Sequence, residues 1–524
     1  MSSIRCTDVV ILSKPFMSKP FMKKLLAIAT FFVVLNIASG AFAQGTDIFI
    51  NRNIRPNVEE PSVQFPEGFL SGLHVLGSDT TLGTRILKAM QTSYNKTNNF
   101  GKHGISASVI IPGRTQWSGG VGLSDATTPI DTNMLFEIAS NTKTFTTALI
   151  MQLRDEGKLS LNDSLKKWIP AYAFVDSNIT IRQLLSHSSG LYDYLNDDPK
   201  QTMIYDAYQL NPEKHWAPDE ILKQFMGKAN FKPGTSYRYC NTGFLLLGMI
   251  AEKAGGDKVG KQMHARFFGP LQLSHTFFGG EDSITIPFVH NWVGGDTTMP
   301  STDFYDVNKT GQLTCAFAAG NIATTVGELA RWGHALYTGQ VVSKASLAEM
   351  VTVKLWPDQE YGGLGTFRIP YYTRSFFGHT GHLLGYLSYN FTNLQDSVSF
   401  CVYQNFETHA GDPTINDYAL DILNAIYAPN ASVANPDVAP KVSVMSYPNP
   451  AHDQLTIAYS VDKPAATSLR ISDETGRTLQ NIFEAPTVAG IHRTRVDLSA
   501  YHAGTYFYSV QTSAGLTTGK FVVE

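Results

Sequence analysis

The proline-spaced stretch at residues 428–446 most constrains what this chain can fold into. Pro429, Pro436 and Pro440 stand among Ala, Val, Asn and Ser. Proline has no backbone N–H and fixes φ, so neither a helix nor a central strand can run through such a segment. We read residues 429–446 as a linker. The texture differs on its two sides. Upstream, long apolar helical runs mix with strands. Downstream, Leu455–Tyr459, Ser468–Ile471, His492–Leu498, Thr505–Gln511 and Thr518–Val523 are short alternating runs between Gly and Asp turns. That spacing predicts a small all-β sandwich over residues 447–524. A chain of 524 residues is also too long for one ordinary domain.

Residues 1–43 read as a leader. Lys23-Lys24 precede the apolar run Leu25–Ile37, and Ala41-Phe42-Ala43 supplies an A-x-A cleavage site before Gln44. This is the three-part pattern of a secretory signal peptide, with Met22 as the candidate true start. The run is too short to span a bilayer comfortably, and no transmembrane span is expected in the mature chain. Residues 44–81 read as an irregular arm. With a net charge of −3 and no basic block, nothing points to nucleic acid. Of the four cysteines, Cys6 falls in the leader, and Cys240, Cys315 and Cys401 have no C-x-x-C spacing. They read as buried free thiols. The histidines are scattered, so neither a catalytic metal nor a cofactor is predicted.

Residues 82–428 form the next unit. The spacing predicts a helix from Leu82, strands at 104–111 and 117–121, and a helix from Ser140 to about Glu156. Thr180 and Gln183 fit a capping box opening a helix at 181–187. Further helices are expected at 218–226, 244–253, 326–337 and 415–427. Strands are expected at 376–381, 384–391 and 398–405, the last two joined through Asn393-Leu-Gln-Asp396. Strands at both ends with helices between predict an α+β fold, an antiparallel sheet flanked by helices.

Ser140 and Lys143 stand three apart, so a helix places them on one face. A hydroxyl beside an amine is a nucleophile beside a base, and free N–H groups at a helix start can hold an oxyanion. Two further segments share this chemistry's residue types: Tyr239-Cys240-Asn241 and His379-Thr380-Gly381. His187-Ser-Ser-Gly190 and Ala319-Gly320-Asn321 stand between them. In order and spacing these segments resemble the serine β-lactamase and penicillin-binding-protein superfamily, in its class C β-lactamase-like branch. The resemblance covers roughly residues 84–428 and implies a β-lactamase/transpeptidase-like fold.

It further implies that Ser140 forms an acyl-enzyme with Lys143 or Tyr239 as base. Asn241, His379, Thr380, Gly381 and His382 would bind substrate, with the backbone N–H groups of Ser140 and His382 holding the oxyanion. Class C β-lactamases usually carry lysine where His379 stands, and a histidine is charged only part of the time at neutral pH. The order of expectation is therefore a D-alanyl-D-alanine carboxypeptidase or D-amino-acid peptidase, then a small-ester hydrolase, then a β-lactamase. A non-catalytic penicillin- or peptide-binding sensor on the same scaffold is the alternative of another class. His187 reads as structural, in a cap. No G-x-S-x-G elbow, H-E-x-x-H or Walker A motif offers a rival chemistry.

The tail, with Ser446-Tyr-Pro-Asn-Pro-Ala451, Gly504-Thr-Tyr506 and Lys520-Phe-Val-Val523, resembles the type A sorting domain of the type IX secretion system of Bacteroidetes. That implies the secretion machinery as a partner, and an outer-membrane-surface or extracellular location.

Overall fold

The computed structural model describes residues 80–427 and 444–523, apart from residues 97–102, 199–201, 295–300, 357–358, 372–373, 408–411 and short turns in the C-terminal part. The leader, nearly all of the arm and most of the linker lie outside the described residues.

An eight-stranded antiparallel sheet organises the larger unit. Its strands are β1 (Gly104–Ile110), β2 (Trp117–Gly122), β3 (Lys354–Trp356), β4 (Gln359–Gly362), β5 (Phe367–Tyr371), β6 (Arg374–Leu383), β7 (Tyr386–Asn393) and β8 (Ser399–Gln404), in the order β2-β1-β8-β7-β6-β5-β4-β3. Side chains alternate between the faces of a strand, so each strand feeds two cores. On one face Ile105, Ala107 and Val109 join Phe391, Phe400 and Val402. Helices α1 (Thr80–Tyr94) and α5 (Ile415–Tyr427) close this core with Ile86, Met90, Tyr418 and Ile422.

The other face is more polar and carries the helical layer. Here α2 (Thr142–Asp155), α3 (Asn241–Gly255) and α4 (Val326–Tyr337) pack with the short capped helix Ile181–Leu185. Polar strand residues on this side find partners on α4. Asn390 Nδ2 donates to the Leu329 carbonyl (2.9 Å), and Ser399 Oγ lies 3.0 Å from His334 Nδ1. Helix α2 is buried nearly all round, threonines included. Thr144 Oγ1 donates to the Asn141 carbonyl (2.7 Å), accepts from the Trp332 indole (2.8 Å), and Thr146 Oγ1 donates to the Ala318 carbonyl (2.7 Å). Such a helix can be buried because its hydroxyls are satisfied locally.

Several predicted boundaries differ. The element at Ser140 is a 3-10 turn, Ala139–Asn141, and the α-helix begins at Thr142. The capping box at Thr180 and Gln183 is present, but its helix stops at Leu185 because His187 takes a left-handed φ of 52°. Strands β3 to β5 are short and run out to the sheet edge at β3, and β3 and β4 lack an alternating apolar pattern, so periodicity does not signal those two. The turn after β7 is an Asx turn, with Asn393 Oδ1 accepting from the N–H groups of Gln395 (2.8 Å) and Asp396 (3.0 Å). Cys240, Cys315 and Cys401 are free and buried. Among the described residues no helix is long and apolar enough to cross a membrane.

The C-terminal part is a two-sheet β-sandwich. β9 (Val444–Tyr447), β10 (Gln454–Val461) and β13 (Gly490–Asp497) form the sheet β9-β10-β13. β11 (Ala465–Ser472), β12 (Thr478–Thr487), β14 (Gly504–Thr512) and β15 (Gly515–Val523) form the sheet β12-β11-β14-β15. Leu455, Ile457, Leu469, Ile471, Val510 and Phe521 fill the space between. Two strands exceed the sequence reading. β12 alternates poorly, and β9 begins inside the stretch read as linker.

Phe145 of α2 stacks on Trp332 of α4 with ring centroids 3.7 Å apart. Truncating it leaves a cavity in the middle of the helical layer. Phe145→Ala is expected to lower the stability of this unit by about 3–5 kcal/mol, read from denaturant unfolding followed by tryptophan fluorescence.

Candidate active site

Three separate elements converge on one oxygen. Ser140 sits partly exposed on the 3-10 turn, and Lys143 follows in the first turn of α2. Lys143 Nζ lies 2.9 Å from Ser140 Oγ. Tyr239, just before α3, donates its hydroxyl proton to the same oxygen across 2.7 Å. The Lys143 amine is 0% exposed and has two further acceptors, Asn241 Oδ1 at 2.8 Å and the Ala319 carbonyl at 2.7 Å. A buried ammonium is costly unless its donors are satisfied, and here three contacts surround it.

Burial pulls the Lys143 pKa down from the ordinary 10.5 to about 7, against the opposing pull of the Asp193 carboxylate. Burial pushes the Tyr239 phenol well above its usual 10, and its bond to Ser140 only partly offsets this. Of the two candidate bases, Lys143 is the one that is neutral in a large fraction near pH 7.

The turn carrying Ser140 is strained and held from outside. Ala139 has φ 47°, a left-handed value that a residue with a Cβ seldom adopts. Ser388 Oγ of β7 donates to the Ile138 carbonyl (2.8 Å) and accepts from Asn141 Nδ2 (2.9 Å), bracketing Ser140 on both sides. Strand β6 lies against this turn. A Cβ on Gly381 would fall 2.1 Å from the Ile138 carbonyl oxygen, so only glycine permits this approach. β5 pairs with β6 only as far as Gly378, and among the described residues one backbone edge of β6 has no strand partner from His379 onward.

His379 differs from the expectation of a partly charged ring. It is 1% exposed, and its Nδ1 lies 2.5 Å from the Thr380 carbonyl, so Nδ1 carries the proton. Burial, with the nearby Lys143 charge, lowers its pKa to about 3. The ring is therefore neutral at neutral pH. It packs on Phe367 (4.3 Å) and flanks the Tyr239 ring (6.1 Å). Alternation along β6 turns the Thr380 and His382 side chains away from the side of His379 and Gly381. His382 pairs with Glu407 (2.9 Å), whose charge raises its pKa.

The structure thus joins Ser140, Lys143, Tyr239 and Asn241 by hydrogen bonds. It places His379 and Gly381 beside them, and leaves Thr380 and His382 with only their backbone on the shared edge. Sequence reasoning misses Asn141, Ser388 and Asp193. Ser388 carries no motif, because only the strand register brings it under Ser140. Asp193 follows closely on the His187-Ser-Ser-Gly190 segment, which is its only signal. His187 itself is buried, packs at a tilt against the Tyr239 ring (4.5 Å), and accepts at Nδ1 from the Cys240 N–H (3.1 Å).

The family model described as beta-lactamase matches residues 95–424. The chain belongs to the beta-lactamase family. A second family, described as the secretion system C-terminal sorting domain, matches residues 445–524. "Penicillin-binding protein 4*" of Bacillus subtilis (strain 168) is 28% identical over 228 residues, which is 42% of this chain and 48% of that protein. The chain thus spans about half the length of that curated relative. Among solved structures, a D-stereospecific amidohydrolase from Streptomyces sp. is 26% identical with TM-score 0.56, covering 67% of this chain and 99% of that one. The D-amino acid amidase of Ochrobactrum anthropi SV3 shares the fold at TM-score 0.58 and 22% identity, over 67% of this chain and 100% of that one.

Because Lys143 is held by burial against its own acceptors, its titration should be directly visible. NMR of 13C-labelled lysines is expected to show Lys143 titrating near pH 7. Asn241→Ala removes an acceptor that favours the ammonium, so it should move that titration to lower pH.

Proposed function

We propose that this beta-lactamase-family chain is an exported serine hydrolase that acts through a Ser140 acyl-enzyme on amide bonds of D-amino-acid derivatives. The observation that carries the reading is the double contact on Ser140 Oγ, from Lys143 at 2.9 Å and Tyr239 at 2.7 Å. In this reading neutral Lys143 takes the Ser140 proton as Oγ attacks the carbonyl carbon. The oxyanion forms between the backbone N–H groups of Ser140 and His382. Lys143 returns the Ser140 proton through the Tyr239 hydroxyl to the leaving nitrogen, and the amine departs. Neutral Lys143 then takes a proton from the water that attacks the ester and returns it to Ser140 Oγ as the acid leaves.

The neutral His379 bears on substrate choice. A D-alanyl-D-alanine carboxypeptidase and a β-lactamase both meet a substrate carboxylate, which a cation at this position would bind. A buried neutral ring supplies none, and this favours amides, or peptides read from their amino side, over free-carboxylate substrates. The 26% identity to a D-stereospecific amidohydrolase supports the same class. Small esters rank next, since the acyl-enzyme chemistry is shared.

The match of residues 445–524 to a sorting domain supports export through type IX machinery to the cell surface or beyond. Outside the cell, scavenged D-amino-acid amides and short peptides are accessible substrates. Removing residues 445–524 is expected to leave the protein inside the cell, read by fractionation of the producing strain.

Turnover of D-alanine amide, D-alanyl-D-alanine, nitrocefin and a p-nitrophenyl ester, measured side by side, tests the reading. Amide turnover is expected to dominate, to rise with pH through about 7 as Lys143 loses its proton, and to fall by at least about 10³-fold in Ser140→Ala. If no substrate is turned over and no Ser140-dependent adduct forms with a fluorescent penicillin, the chain is a binding or sensor protein.

A further inference from the structure

We propose that Asp193 is a positioning residue for this reaction: it fixes which end of the Asn241 amide faces Lys143. The inference rests on the hydrolase reading above, but its geometry stands apart from substrate. An asparagine side chain can present either a carbonyl or an NH₂ group, and only the carbonyl can receive a lysine N–H. Lys143 Nζ donates to Asn241 Oδ1 at 2.8 Å, while Asn241 Nδ2 donates to Asp193 Oδ2 at 3.0 Å. An ionised carboxylate accepts and never donates, so Asp193 allows one orientation of the amide.

The carboxylate is built into the fold. Asp193 is 1% exposed, and four N–H donors point at it. Oδ2 accepts from the Asn241 N–H (3.0 Å), Asn241 Nδ2 (3.0 Å) and Asn196 Nδ2 (2.8 Å), and Oδ1 accepts from the Leu195 N–H (3.0 Å). A protonated acid would need an acceptor, and none of these partners is one. Burial, with the Asp197 charge nearby, raises the Asp193 pKa, against the Asn241 and Leu195 donors and the Lys143 charge.

The loop that bears Asp193 grips the Tyr239 segment along its length. The Arg238 N–H donates to the His187 carbonyl (2.9 Å), the Cys240 N–H to His187 Nδ1 (3.1 Å), and Thr242 Oγ1 to the Tyr192 carbonyl (2.7 Å). Residues 187–193 thus act as the mould for residues 238–242. His187 adopts a left-handed φ of 52°, strain consistent with a conformation imposed by that contact.

The ionisable groups around the Lys143–Asn241–Asp193 line are Tyr239 and Cys240 before α3, His187 and Asp197 on the gripping loop, Arg238 paired with Asp197, and His379 on β6. Burial keeps both imidazoles neutral and both the phenol and the thiol protonated. Asp193 is therefore the negative charge that bears most directly on Lys143, and it favours the ammonium.

Asp193→Asn tests this on the full chain. The acid limb of kcat/KM for D-alanine amide, and the Lys143 titration seen by lysine NMR, should both move to lower pH by about one unit. With the amide free to flip, kcat should fall by on the order of tenfold or more. The swap Asp193→Asn/Asn241→Asp restores a donor facing an acceptor and puts a carboxylate directly on Lys143, so its limb and titration should move above the wild-type pH. A merely structural Asp193 would change melting temperature and leave both titrations in place. That result, or a kcat within twofold of wild type, overturns the proposal. Should Asp193→Asn not fold, the swap carries the test, and failure of the swap to fold or to titrate higher also overturns it. The NMR titration needs no turnover, so loss of the hydrolase reading through Ser140→Ala is scored separately.

Discussion

The site depends on a lysine amine that has been taken out of water. Lys143 is fully buried, and its three oxygen partners come from the 3-10 turn before α2, from α3 and from the turn at Ala319. None of these elements can shift without leaving a buried donor or acceptor unpaired, which costs about 1–3 kcal/mol per group. The amine therefore locks the Ser140 turn and the helical layer together, and the same burial brings its pKa to about 7. Anchoring and reactivity are two consequences of one desolvation.

Strain gathers where this lock is made. Among the described residues, six non-glycine positions have positive φ, and three of them, Ala139, His187 and Phe317, lie in the turns that present Ser140, Tyr239 and the Ala319 carbonyl. Such conformations persist only where the surroundings over-determine them. Ser388 and Asn141 do this for Ala139, the Cys240 N–H does it for His187, and Thr146 does it for the Phe317 turn through the Ala318 carbonyl.

Much of the fold is legible in the chain because the long elements are strongly periodic. Val326–Tyr337 and Ile415–Tyr427 match their expected bounds, since each shows one apolar face and ends at a composition break. The α+β architecture and the C-terminal sandwich follow from the same patterns. What resists reading is set by tertiary contact. The short strands β3 and β4, at and next to the sheet edge, carry no alternation. The helix at Ser140 starts late because Ala139 is forced into a left-handed turn by its neighbours in space. Ser388 reaches Ile138 and Asn141, on either side of Ser140, through strand register alone, and register between distant segments has no local signature.

His379 shows most clearly where reading residue types falls short. A histidine at this place in the chain suggests a titrating cation, since its unperturbed pKa lies near 6.5. Burial, to which the Phe367 ring packed at 4.3 Å contributes, and the Lys143 charge nearby both lie outside the motif and both disfavour the imidazolium. A neutral ring bonded to the Thr380 carbonyl stiffens β6 beside Tyr239 and offers no charge to a substrate carboxylate. A lysine there, with its longer stem and higher intrinsic pKa, could reach past the apolar wall and stay charged. In the proposed reading, a lysine here would add a cation beside Tyr239 without touching the hydrogen bonds on Ser140 Oγ. His379 and Ser140 meet Tyr239 at different points: the imidazole flanks its ring at 6.1 Å, while Ser140 Oγ accepts from its hydroxyl at 2.7 Å.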